Sequence, residues 1–415
     1  MSTLSQTLTF AYGLYRQRAG TAYAGYVRGD PVARLALRPG RLDPYACYER
    51  LRAQGPLTPT RLGNWASTSH RICDSVLRDR RFCVGQPDGA PSDPAEFNMS
   101  FLDMNPPDHT RLRRLATPAF SPKAVATYTG RIERVVGGLL DRAAADGEFD
   151  LVSAFAGPLP IAVITDLLGV PDSASADFSE YGAVIGSALD GIGSLRQAAA
   201  LKAADAGLRR LFDDLFELRR REPGDDIVSR LVATEGDQIK PAELLPMCIL
   251  LLVAGFETTV NLIGNGVVAF LRHPEQWRLI CADPEAMAGR AVEEILRYDS
   301  PVQLTGRTAT DSLDLDGTPV RRGQYVLTLL GGANRDPEVY DRPAEFDITR
   351  ENPAPHLAFS GGIHYCLGQP LARLEATIAF RALAERMLGL RSAGRVKRRN
   401  ATTIRGPLRL PVRAA

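Results

Sequence analysis

The sequence predicts a mainly α-helical fold with a smaller β region, in the α+β class, and three observations carry this. A run of about 30 residues, Pro241 to Leu271, reads as one long buried helix of roughly 45 Å. Leu201 to Arg221 and the stretch after Cys366 place apolar residues at helical spacing, the second through Leu371, Leu374, Ile378, Leu383 and Met387. Strand-like segments bounded by Gly, Pro, Asn and Asp gather near 57–68 and 301–330. One domain over 1–415 is expected. Its β-rich part covers about 40–70 and 301–350, and its helical part 70–300 and 366–390.

Taken in order, residues 1–50 read as short helices broken by Gly20, Gly29 and Pro39-Gly40. Arg16, Arg18, Arg28, Arg34 and Arg38 follow a short apolar start. A solvated helix face is the reading taken there, over a basic amphipathic segment touching a membrane. Leu57–Thr60 and Trp65–Thr68 are strands around the Gly63-Asn64 turn, and 84–107 is a long surface loop. Pro106-Pro107 followed by Asp108 opens a helix on which His109 and Arg113, four apart, share a face. A solvated basic face and a pair of cations reaching an anion both fit that pattern.

Residues 127–145 and 150–168 read as amphipathic helices, and 171–193 as two short helices at most. Pro241 and Glu243 suit the first turn of the long helix. Glu257 falls near its middle, with Asn261 and Asn265 beyond. A carboxylate at a bilayer centre costs several kcal/mol, so a core helix is expected rather than a membrane span. Within it, Ala254 and Gly255 leave room beside the backbone. Thr258 can bond back one turn, and Glu257 beside a hydroxyl forms either a proton relay or a polar kink.

Glu294 and Arg297, three apart on a helix that starts near Pro284, can pair. Pro301–Thr305 is extended, Asp316-Gly317 marks a hairpin within 313–320, and 324–330 is a further strand. A terminal hairpin is expected over 402–410. The run Phe359-Ser360-Gly361-Gly362-Ile363-His364-Tyr365-Cys366-Leu367-Gly368 is a glycine-rich loop feeding one cysteine into a helix start. A helix N-terminus favours a thiolate, the form that binds metal; a buried structural cysteine beside a turn is the bland alternative.

Composition narrows the function classes. The net charge of +2 does not point to nucleic acid. The six cysteines are scattered without a C-x-x-C pair, which argues against a zinc site or a disulfide framework and fits a reducing cytoplasm. No signal peptide is visible.

The order Phe-x-x-Gly-x-His-x-Cys-x-Gly resembles the haem-thiolate loop of the cytochrome P450 family, with Ser360 where that family usually has glycine. Ala254-Gly255-Phe256-Glu257-Thr258-Thr259 is similar to the family's oxygen-binding helix. Glu294-x-x-Arg297 and Ala333-Asn334-Arg335-Asp336-Pro337 also match. The resemblance implies the P450 fold, a triangular helical prism with a long helix over haem b. It implies Cys366 as the axial iron ligand, with Phe359, Gly362, Gly368, Ala254 and Gly255 around the cofactor. It also implies that His109, Arg113, Arg307 and His364 hold the propionates, and that Glu257 and Thr258 deliver protons during O2 activation. Glu294, Arg297 and Arg350 would form a structural network.

The activity implied is a monooxygenase acting on a lipophilic small molecule, by hydroxylation or epoxidation. Electrons would come ultimately from NAD(P)H. With no dinucleotide or flavin fingerprint recognisable, a separate ferredoxin and its reductase are expected, docking near Arg111, Arg114 and Lys123. The predicted pocket lining is 84–105, 175–200, Leu250, Val253, Ala254, Val302–Thr305 and Thr402–Ile404, with Gln303, Thr305 and Arg405 as polar anchors. The protein is expected to be a cytoplasmic monomer. A peroxide-driven peroxygenase and a non-catalytic haem-thiolate binding or sensor protein remain the rival readings.

Overall fold

A computed structural model describes residues 3–60, 63–87, 98–145, 147–187, 192–351 and 354–414. The predicted loop residues 88–97 lie outside the described set. Helix α1 (Thr3–Ala22) runs straight through Gly20, contrary to the expected break. One π-helical turn, Tyr23–Val27, continues it, and the chain turns at Gly29, whose φ is +72°. An isolated mid-helix glycine costs only about 1 kcal/mol, so it does not end a helix by itself. Asp30 then caps α2 (Pro31–Leu35) by accepting from the amides of Val32 and Ala33. Helices α3 (Arg38–Leu42) and α4 (Tyr45–Arg52) follow.

The main sheet gathers strands from both ends of the chain. β1 (Thr58–Pro59) and β2 (Trp65–Ser67) form the expected hairpin. After α5 (His70–Arg78) comes β3 (Phe82–Cys83). β5 (Thr305–Ala309) and β8 (Tyr325–Thr328) complete the order β1-β2-β8-β5-β3, with β2 parallel to β8. The hairpin β6 (Leu313–Leu315) and β7 (Thr318–Val320) turns at Asp316 and Gly317, both with positive φ.

Helices fill the middle of the chain. They are α6 (Asp108–Ala116), α7 (Pro122–Ala126), α8 (Thr129–Ala145), α9 (Pro158–Leu168), α10 (Ser175–Gly186), α11 (Leu195–Arg221) and α12 (Ile227–Val232). The single helix expected over 150–168 is split: a π-turn at Val152–Ala156 precedes α9, whose Pro158 cannot donate to the preceding turn. Between α8 and α9 sits a strand not foreseen, β4 (Glu148–Asp150).

The centre is α13 (Pro241–Arg272), followed by α14 (Pro274–Ala282), α15 (Pro284–Tyr298), the short α16 (Leu330–Ala333) and α17 (Gln369–Arg386). α13 is long and apolar enough to cross a membrane, yet 83% of its most apolar window is buried inside the fold. It packs against α9, α10, α15 and α17. Phe270 near its end meets Trp277, Phe346 and Phe380 edge-on, with centroids 5.2, 5.4 and 5.8 Å away. Burying a side chain of that size contributes roughly 1.5–3 kcal/mol, so this knot ties three helices together.

The C-terminal hairpin is displaced from its predicted place. β10 (Lys397–Arg398) pairs with β11 (Pro407–Arg409), so 402–406 lies in the connection. β12 (Pro411–Arg413) crosses to pair with β4 and with β9 (Arg391–Ser392). Leu410 N–H donates to Asp150 Oδ1 at 2.7 Å, which fixes that crossing.

Candidate active site

The cysteine loop is pressed against α5. A Cβ on Gly362 would stand 2.2 Å from the Leu77 carbonyl oxygen, and its φ is +63°, so only glycine fits. The Cys366 amide donates to Phe359 O at 2.9 Å and closes the loop. Cys366 lies just before α17. Burial pushes its thiol above the ordinary value, while the amides of Gly368 and Gln369 and the guanidiniums of Arg113 and Arg373 pull the other way. Arg373 also lies over the Phe359 ring, 4.5 Å from its centroid. Ser360 adopts φ +62°, and its hydroxyl is buried without a hydrogen-bond partner among the described residues.

Four basic side chains converge beside this loop. The His109 and His364 rings lie 4.5 Å apart. Neither nitrogen of His109, nor Nε2 of His364, has a partner among the described residues. Arg113 donates to Tyr365 O. Arg307, on β5, reaches Thr305 Oγ1 at 3.2 Å and the Gly306 carbonyl at 2.8 Å. Burial, reinforced by Arg307, His109 and Arg113, pushes His364 down to about 3. Burial also lowers His109, Arg113 and Arg307. Among the described residues no carboxylate pairs with any of the four, so the cluster is built for an anion.

On α13, Ala254 is exposed and Thr258 half-buried in the midst of a buried helix. The two are four apart and share one face, and Thr258 Oγ1 donates back to Ala254 O at 3.3 Å. That face is the accessible side of the helix. Glu257 points elsewhere. Its Oε1 lies 2.5 Å from Arg399 Nη1, and Gly186 of α10 packs beside it. Gly255 leaves room beside the backbone, and α9 uses it: a Cβ there would stand 2.5 Å from Ile164 Cγ1, so it is the seat of the α9–α13 crossing.

Glu294, Arg297 and Arg350 are brought together. Arg297 donates to Glu294 through Nε at 2.7 Å and Nη2 at 2.8 Å, with both side chains buried. It also donates to the carbonyls of Asn334, Pro343 and Glu345, and Arg350 Nε reaches Glu294 Oε1 at 3.4 Å.

Comparison with known proteins decides the family. The Cytochrome P450 family model matches residues 287–386. The chain is 41% identical to cytochrome P450 monooxygenase PikC of Streptomyces venezuelae, over 89% of this chain and 91% of that one. It is 37% identical to 6-deoxyerythronolide B hydroxylase of Saccharopolyspora erythraea, over 90% and 96%. The chain belongs to the cytochrome P450 family. Its fold is similar to the crystal structure of P450BioI in complex with hexadec-9Z-enoic acid ligated acyl carrier protein. The TM-score there is 0.85 at 37% identity, covering 91% of this chain and all of the other.

This P450 is therefore a haem-dependent monooxygenase, and its residues fit the cofactor. A basic cluster with no paired carboxylate among the described residues suits carboxylate side arms, a cysteine sulfur would supply a ligand, and an alanine stands on the accessible face of α13. Two predicted pocket anchors are corrected. Gln303 is buried, accepting from Tyr48 at 3.0 Å and donating to Ser300 O at 2.7 Å. Arg405 is buried on Asp299, with Nε to Oδ1 at 2.7 Å. Both brace the fold. Arg111 is likewise tied to Glu243 and Asp108, each at 2.7 Å, leaving Arg114 and Lys123 exposed on that side. A groove of about 590 Å³ between α11 and the start of α13 contains none of these site residues. Arg399 was missed altogether. It sits in a basic run, Arg395 to Arg399, and nothing local in that run names Glu257 as its partner.

Proposed function

We propose that this P450 binds haem through Cys366 and inserts one oxygen atom from O2 into a lipophilic small molecule, drawing electrons from a ferredoxin and ultimately from NAD(P)H. The observation that carries the reading is the meeting of His109, Arg113, Arg307 and His364, with no paired carboxylate among the described residues, beside the loop that presents Cys366. Bound haem supplies activation of O2 and oxygen transfer to a C–H or C=C bond.

The chain's own residues do the rest. The amides of Gly368 and Gln369 and the guanidiniums of Arg113 and Arg373 offset part of the burial that raises the Cys366 thiol, and bound iron would supply the rest of what a thiolate needs. The basic quartet binds and orients the cofactor's carboxylates. Thr258, on the accessible face of α13, holds a proton at Oγ1. Glu257 is the reservoir behind it, kept in place by Arg399. Ala254, Leu250, Val302 and Thr305 contribute to a mostly apolar pocket. Relatives that hydroxylate 6-deoxyerythronolide B or accompany a carrier-bound hexadecenoic acid support a medium-sized lipophilic substrate. Arg114 and Lys123 form the ferredoxin side, in a single-domain cytoplasmic monomer.

Turnover of a library hit found by spectral titration tests the reading. Product should form with ferredoxin, reductase and NAD(P)H, and Thr258→Ala should divert reducing equivalents away from product. Turnover with peroxide alone that is indifferent to Thr258→Ala would instead establish the peroxygenase.

A further inference from the structure

The N-terminal helix carries an exposed face that the oxygenase chemistry does not use. Tyr12, Tyr15, Tyr23 and Tyr26 are 70%, 58%, 54% and 57% exposed, while of the other eight tyrosines only Tyr365 reaches 37%. Their spacing, with Ala19 between, is three, four, four and three, which keeps them to one side through α1 and the π-turn that continues it. The opposite side holds the segment to the body: Ala24 and Gly25 are buried, and a Cβ on Gly25 would meet Leu37.

Charge accompanies the ring stripe. Residues 1–29 contain Arg16, Arg18 and Arg28 and no Asp or Glu, in a chain with 48 acidic residues. Arg16 lies over the Tyr12 ring at 5.9 Å and Arg28 over Tyr23 at 5.8 Å, so two cations are interleaved with the aromatics. Arg18 is spent differently, donating to Gly193 O at 3.0 Å in the segment between α10 and α11.

We infer that this face is a docking surface for an anionic lipid bilayer, lying in the headgroup plane rather than crossing it. Tyrosine suits that plane because its ring is apolar and its hydroxyl wet; arginine pairs with lipid phosphate. A second copy of the chain fits less well. Self-pairing of the helix would set Arg16 and Arg28 against their own copies, with no acidic residue on the segment to neutralise them.

The test is flotation of the full-length, haem-loaded protein with phosphatidylcholine vesicles, with and without about one third phosphatidylglycerol. Binding to the anionic vesicles is expected, lost between about 0.1 and about 1 M salt. Arg16→Gln with Arg28→Gln should weaken it on the order of twentyfold. Replacing Tyr12, Tyr15, Tyr23 and Tyr26 by Ser should abolish it, with the ferrous–CO spectrum unchanged as the check on folding. Should that variant express poorly, Tyr15→Trp alone reports insertion by a blue shift in emission. Wild-type protein that ignores anionic vesicles, binding that survives both sets of substitutions, or a dimer broken by the tyrosine changes without vesicle binding would each overturn the inference.

Discussion

Arg399 holds Glu257. The guanidinium comes from the C-terminal connection after β10, the carboxylate from the middle of α13, and their atoms approach to 2.5 Å, with Glu257 buried and Arg399 half-buried. Breaking a buried ion pair from one side leaves an uncompensated charge and costs about 3–5 kcal/mol; removing both partners costs much less. Arg399→Leu should therefore lose at least ~2 kcal/mol in urea unfolding, and adding Glu257→Gln should restore part of it. Strictly additive losses in the double-mutant cycle would show that the two side chains do not support each other.

Arg297 is the most committed side chain in the protein. It is fully buried, bidentate to Glu294, and satisfies three loop carbonyls. Arg297→Lys keeps the charge but cannot reproduce the planar fork. A loss of about 3 kcal/mol or more is expected for Lys as well as for Ala. Near-wild-type unfolding of the Lys variant would reduce this network to a simple point-charge contact.

Ser360 stands where its backbone favours glycine. At φ +62° a non-glycine residue costs about 1–2 kcal/mol, and its buried hydroxyl is unbonded among the described residues. Greater freedom of glycine in the unfolded chain offsets part of the gain. Ser360→Gly should raise stability by about 0.5–1 kcal/mol, read as a higher thermal midpoint. A lower midpoint would mean the hydroxyl makes an interaction in the loaded enzyme.

His364 gives the haem-free protein a pH dependence of definite sign. Its folded value is pushed down to about 3 by burial and by Arg307, His109 and Arg113, against about 6.5 when unfolded. Between those values the unfolded chain binds the extra proton. Stability should thus be intact above about pH 6.5 and fall as pH drops toward about 3. Haem carboxylates held by this cluster would favour the charged form of His364, so the loaded protein should lose less over the same range. Urea midpoints of both forms at several pH values check this, and His364→Asn should flatten the haem-free slope.

Much of the site was legible because its pieces are local. Phe359 to Gly368, Ala254 to Thr259 and Glu294 to Arg297 each carry their meaning within one turn or loop. So does the His109–Arg113 spacing on α6. Long-range pairing was not legible. β4 and β12 are three residues each, and what joins them is a register, not a pattern. Gln303 and Arg405 were misread because a polar residue bordering a pocket looks the same in sequence as one buried beneath it. Gly255 was read as leaving room beside its helix, but that Ile164 of α9 fills that room is a tertiary fact no local pattern shows.

The central claim is that the Cys366 sulfur ligates haem iron. The ferrous–CO absorption spectrum tests it most directly. Wild-type protein should show the thiolate-type band, and Cys366→Ala should lose haem or shift to the band of a non-thiolate haem. A thiolate-type band that persists in Cys366→Ala would contradict the account.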